Sequence, residues 1–192
     1  MGDDREERVN AAVAESPATG PGPEWIEPLY RAHADDVLRA AYRVTGNLED
    51  AEDVVHTVFL RLARRASPPD LGPGASAYLR RAATNAALDL VTSKRRRTTG
   101  SLTEVGDGFV ADGAPSPERR HHAGELAAAL RDALAGVHRR GAEMFVLRYL
   151  EDLDNHRIAE LFDTTPGSVA VTLHRVRATL RGQLSSLLGG LS

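Results

Sequence analysis

The stretch NLEDAEDVVHTVFLRLARR, residues 47–65, sets the terms for the whole chain. Ala51, Val54, Val55, Val58, Phe59 and Leu62 recur at intervals of three and four, which gathers them on one stripe of a helix. In a strand the same residues would be divided between two faces. Asn47 stands where a side-chain cap can accept a free backbone N–H, and the acids that follow crowd the positive end of the helix dipole. The same spacing recurs on either side. LYRAHADDVLRAAYRVTG places Leu29, Val37, Leu38, Ala41 and Val44 on one face and stops at Gly46. A third helix, about 76–96, would bury Leu79, Ala82, Ala83, Ala86 and Leu90 and turn Arg80, Arg81, Thr84 and Asn85 outward. Few segments alternate with a period of two, so the fold class is all-α.

Breaks in this pattern divide the chain. ASPPDLGPG, with three prolines and two glycines, ends the second helix. Residues 1–24, rich in acids, Pro and Gly and without apolar periodicity, read as a disordered acidic arm. Residues 25–97 form a first helical domain, and 98–122 read as a flexible linker. Residues 123–186 form a second domain from GELAAALRDALAGV, RRGAEMFVLRYLE, NHRIAELFD and PGSVAVTLHRVRATLRGQL, leaving a tail at 187–192. The expectation is two small helical domains on a strap.

Composition removes several classes of function. With no cysteine, neither a disulfide framework nor a thiolate metal site can form. The seven histidines do not pair with acids at metal-binding spacing; Asp152 and His156 come nearest and read as a surface pair. No glycine-rich phosphate loop or Ser/His/Asp arrangement is visible, so the expectation is a protein that is not an enzyme and uses no metal or cofactor. An acidic start and the lack of a long apolar run point to a soluble, cytoplasmic chain without membrane insertion. The net charge of −3 hides a strong segregation: residues 78–97 carry six bases against Asp89, whereas 1–28 carry seven acids against Arg5 and Arg8. Binding follows the field at the contacting face, so the patches outweigh the total.

Residues 155–181 have the layout of a helix-turn-helix. Ala159 is small enough for close approach of the second helix, and Ile158, Leu161, Val169 and Leu173 supply a miniature core. Asp163 falls where the chain must turn left-handed, and Pro166 suits the first turn of the next helix. Two short helices packed without touching DNA would satisfy the same pattern. Arg175, Arg177 and Arg181, with no acid after Asp163, favour contact with phosphates.

Taken together, residues 28–184 resemble the extracytoplasmic-function (ECF) type of bacterial sigma factor, the two-domain group of the sigma-70 family. LYRAHADDVLRAAYRVTGNLEDAEDVVHTVFLRLARR is similar to the start of that family's region 2, AYLRRAATNAALDLVTSKRRR to its melting and −10 recognition helix, and MFVLRYLEDLDNHRIAELFDTTPGSVAVTLHRVRATLR to region 4, which reads the −35 element. The resemblance implies a transcription initiation factor whose partners are core RNA polymerase, through its β′ clamp and β flap, promoter DNA and an anti-sigma protein.

It also implies roles for particular residues. Glu49, Asp50, Glu52, Asp53, His56, Thr57 and Arg61 would face the clamp. Tyr78, Arg80, Arg81, Thr84 and Asn85, with Lys94, Arg95, Arg96 and Arg97 as a phosphate patch, would hold the opened −10 strand. The proline-rich loop 67–74 would wall the base pocket. Thr165, Ser168, Ala170, Val171, Thr172, His174, Arg175 and Arg177 would meet the −35 element. Relatives commonly carry basic or hydroxyl residues where this chain has Ala170, Val171 and Thr172. The −35 contact is therefore expected to be light and to rest partly on thymine methyls. Glu104, Asp107 and Asp112 of the linker would either mimic nucleic-acid charge in the polymerase channel or belong to a plain tether. Two other readings stay open: a regulator acting through the helix-turn-helix alone, and a degenerate sigma-like protein that binds without initiating.

Overall fold

The computed structural model describes residues 23–65, 67, 69, 71–98 and 117–188. Its elements are α1 (Ile26–Thr45), α2 (Leu48–Ala63), a 3-10 turn (Gly72–Gly74), α3 (Ala75–Thr98), α4 (Pro117–Ala135), α5 (Arg139–Tyr149), α6 (Asn155–Leu161) and α7 (Pro166–Leu188). Among the described residues there is no strand, and no helix is long and apolar enough to cross a membrane. Residues 1–22 of the acidic arm and 99–116 of the linker, with Glu104, Asp107 and Asp112, lie outside the described residues.

The first three helices pack as their apolar stripes require. Val37, Ala40, Ala41 and Val44 of α1 meet Val54, Val55, Val58, Phe59 and Leu62 of α2 and Leu79, Ala83 and Ala87 of α3. Alanines at these contacts let the backbones approach closely. The turn from α1 to α2 depends on Gly46, whose φ of +66° swings the chain out of the helix just after its N–H donates to the Tyr42 carbonyl at 2.7 Å. A Cβ there would also meet the Arg131 guanidinium, which would have to shift. Asn47 caps α2 by accepting from the Asp50 N–H at 3.0 Å.

Two expectations need correction. α4 begins at Pro117, inside the stretch read as linker, where proline suits a first helical turn. The polar run ERRHH carries no apolar stripe to announce the helix. The second correction concerns α3, whose far face is covered rather than outward. Ala77 joins the core of the second half, with Met144, Leu147, Leu153, Ile158, Ala159, Phe162, Val169 and Leu173. In return Ala133, Leu134, Ala142, Val146, Val176 and Leu180 extend the core of the first half. The two halves therefore pack against each other, with α3 between them.

Candidate nucleic-acid interface

The helix-turn-helix is built by local chemistry at each of its junctions. Asp154 caps α6 by accepting from the Arg157 N–H at 2.7 Å. The helix ends in a Schellman motif: Thr164 N–H donates to the Ala159 carbonyl at 3.0 Å, and Asp163 N–H to Glu160 at 3.3 Å. Asp163 adopts the left-handed conformation expected of it, with φ of +49°. Thr165 then caps α7, its Oγ1 accepting from the Ser168 N–H at 3.2 Å, while Pro166 opens the helix. Ala159, Ile158, Val169 and Leu173 are all buried at the crossing.

This arrangement leaves one face of α7 open. Thr165, Ser168, Ala170, Val171, His174, Arg175 and Arg177 are exposed, and Val171 leaves 53 % of its surface in water. Thr172 is half-buried: its hydroxyl donates back to the Ser168 carbonyl at 2.9 Å, and its methyl lies toward Gly141 of α5. The helix thus offers two guanidiniums, two hydroxyls at its start and an apolar spot between them, which suits phosphates at the edges and a methyl group at the centre.

The face of α3 is a different case. Thr84 has no exposed surface, and Arg80, Arg81 and Asn85 are half-buried against the second half. Arg81 donates to the Leu161 carbonyl, lies 3.9 Å from the centre of the Phe162 ring and 3.8 Å from Glu143. Burial lowers its pKa, with Glu143 opposing the shift. Arg80 donates to the Glu151 carbonyl at 3.1 Å and lies 3.9 Å from its carboxylate, which also accepts from Arg43 at 2.9 Å. Arg139 reaches across to Asp89 and to the Asn85 carbonyl and pairs with Glu143 at 2.9 Å. Burial works against the Arg139 cation, but hydrogen bonds and charge from Asp89 and Glu143 outweigh it and raise its pKa. The outward reading of Arg80, Arg81, Thr84 and Asn85 is thus corrected. One amphipathic stripe cannot reveal that a second domain covers the opposite face.

Tyr78, beside this contact, is half-buried and accepts from Arg65 at 3.2 Å. The basic end of α3 is exposed but engaged: Lys94 pairs with Asp50 at 2.5 Å, Arg95 donates to the Asp132 carbonyl at 2.7 Å, and Arg97 folds back on Ser93. On α2, Glu49, Glu52, Asp53, His56 and Arg61 are exposed, Thr57 is half-buried, and Asp50 is drawn inward by Lys94. Asp152, read as a partner of His156, instead lies 3.6 Å from Arg148. Sequence reasoning missed Arg43, Arg139, Glu143 and Glu151. The signal was present in RRGAEMFVLRYLE, where two acids interrupt an apolar run that otherwise faces a core.

Comparison with known families follows this geometry closely. The Sigma-70 region 2 family model matches residues 29–97, from α1 to the basic end of α3, and the Sigma-70, region 4 model matches residues 127–180, from α4 through α7. The chain belongs to the sigma-70 family. Its similarity to members of the ECF type runs through both matched regions. It is 36 % identical over 164 residues to ECF RNA polymerase sigma factor SigE of Mycolicibacterium smegmatis, covering 85 % of this chain and 62 % of that protein. With ECF RNA polymerase sigma factor SigW of Bacillus subtilis the identity is 28 %, over 81 % of this chain and 86 % of the relative. RNA polymerase sigma-E factor of Streptomyces avermitilis is 29 % identical over 84 % of this chain and 86 % of its own length. This chain thus spans less than two thirds of the M. smegmatis relative. In sigma-70 terms, the covered face of α3 belongs to region 2 and the helices that cover it to region 4.

Proposed function

We propose that the chain is a transcription initiation factor that binds core RNA polymerase and directs it to promoters. The observation that carries this reading is the pairing of regions 2 and 4 in one chain, in that order, with an open DNA-sized face on α7. In this reading residues 25–97 dock on polymerase and open the −10 element, and residues 123–186 read the −35 element. The exposed acids Glu49, Glu52 and Asp53 give α2 a negative face for a basic partner, with His56, Thr57 and Arg61 beside them. Tyr78, Arg80, Arg81, Thr84 and Asn85 hold the single strand once α3 is uncovered. Lys94, Arg95, Arg96 and Arg97 supply its phosphates with charge.

On α7, Thr165, Ser168, Arg175 and Arg177 meet phosphates, His174 and Thr172 flank them, and Ala170 and Val171 touch base methyls. The role is one of binding in the cytoplasm, not of catalysis, and an anti-sigma protein is the partner that would withhold the factor from polymerase. The test is reconstitution: core polymerase, the purified chain and fragments of the source genome, scored for run-off transcripts. Transcripts that require the chain support the reading. Transcripts only when another sigma factor is present would make it a helix-turn-helix regulator, and polymerase binding without transcripts would make it a degenerate relative.

A further inference from the structure

The solvent face of α7 has an apolar centre between charged edges. By helical spacing, Val171 and Ala178 form its middle row, with Arg177 and Arg181 on one side and Ser168 and Arg175 on the other, all of them exposed. No acid occurs in the chain after Asp163, so the field along this face is positive and matches the phosphates of a duplex. Val171 belongs to neither apolar core and leaves more than half of its surface in water. A β-branched residue at such a place is a weak helix former and does little for the fold. It does, however, hold its two methyl groups in one strongly preferred rotamer.

The side chains of Ala170 and Val171 can neither donate nor accept a hydrogen bond. The neighbouring hydroxyl of Thr172 donates instead to the Ser168 carbonyl at 2.9 Å, and its methyl lies toward Gly141. Such a surface cannot tell O4 of thymine from N4 of cytosine, which differ as acceptor and donor. The feature of the major groove that it can register is the methyl group on C5 of thymine. A 5-methylated cytosine carries the same methyl on the same carbon. We propose that Val171, beside Ala170, reads the C5 methyl itself, so that one position of the bound element accepts thymine or 5-methylcytosine and disfavours unmethylated cytosine. Methylation of a cytosine at that position therefore strengthens the contact. Arg175 and Arg177, at the edges, add affinity through phosphates without this selectivity. This deepens the function proposed above and rests on its assignment of α7 to duplex DNA.

Random-sequence duplexes selected at low salt on the full-length chain, without polymerase, supply the preferred element. Each thymine of that element is then replaced singly by deoxyuridine, which removes the C5 methyl and nothing else, and affinity is read by fluorescence anisotropy. One position should lose about fourfold, the worth of burying one methyl, and the others should lose less. At that position a cytosine·guanine pair should bind no better than uracil·adenine, and 5-methylcytosine·guanine should bind about fourfold tighter than its unmethylated form. In Val171→Ala, with helicity checked by circular dichroism, the thymine-to-uracil and methylcytosine-to-cytosine ratios should both fall toward one. No enriched element, no uracil-sensitive position, or 5-methylcytosine binding no tighter than cytosine would each overturn the proposal. So would ratios that survive Val171→Ala. The base replacements need no variant, so they decide the matter even if Val171→Ala fails to fold. Failure of the sigma reading would show separately, as absence of chain-dependent transcripts while the uracil-sensitive position persists.

Discussion

Gly141 lies buried near the start of α5 where α7 crosses it, and Gly141→Ala sets helix propensity against packing. An added Cβ would fall 2.8 Å from Val176 Cγ2, 3.6 Å from Val137 Cγ1 and 3.8 Å from Thr172 Cγ2. Carbon atoms pack at about 3.5–4.0 Å, so the first of these contacts is short by most of an ångström. Val176 is 5 % exposed and branched at Cβ, with one strongly preferred rotamer in a helix, so its methyl cannot swing aside. α5 and α7 must separate instead. Overpacking of this kind costs about 1–3 kcal/mol, whereas replacing glycine by alanine in an open helix gains about 0.5–1 kcal/mol. The expected net effect is a loss of about 1 kcal/mol, read as a lower urea midpoint with unchanged slope when unfolding is followed by circular dichroism. In a Val176→Ala background the same methyl has room, and Gly141→Ala should become stabilising, with a coupling of about 1 kcal/mol or more. A stabilising Gly141→Ala in the original background would refute the close approach of α5 and α7.

Asp163→Gly should raise stability by about 0.5–1 kcal/mol, since glycine adopts the left-handed conformation without the steric cost paid by aspartate; thermal unfolding measures it. Asn47→Ala should lower stability by about 1 kcal/mol through loss of the α2 cap, with hydrogen exchange rising first at the Asp50 amide. Ala170→Arg should replace a methyl contact with a side chain long enough to pass the base edge and reach a flanking phosphate, tightening binding to −35 duplexes and steepening the plot of log affinity against log salt by about −0.9. Anisotropy titrations at several salt concentrations would show it, and an unchanged slope would place Ala170 away from the DNA backbone.

Local signals carried most of the secondary structure. Asn47, Gly46, Asp163 and Pro166 each occupy the junction that their backbone chemistry indicated; the stripe of α2 is buried as read, and that of α1 is buried at Val37, Ala41 and Val44 while Leu29 and Leu38 are half-buried at its edge. What failed was non-local. The small residues of α3 announced one buried face, but its other face is covered by groups about 60 to 80 positions away, such as Glu143, Glu151 and Leu161. An arginine facing phosphate and an arginine facing a buried carboxylate have the same sequence signature. The start of α4 escaped for a simpler reason, since a polar first turn carries no periodicity. The α7 face was legible because nothing among the described residues covers it.

Permanganate probing of unpaired thymines tests the central claim most directly, on a promoter recovered by the run-off assay. With core polymerase and the chain together, thymines at the −10 element should become reactive, and with either alone they should not. Adding Arg80→Ala and Arg81→Ala should reduce that reactivity while the duplex contact of α7 persists. Reactivity with core polymerase alone, or none with both present, would contradict the account.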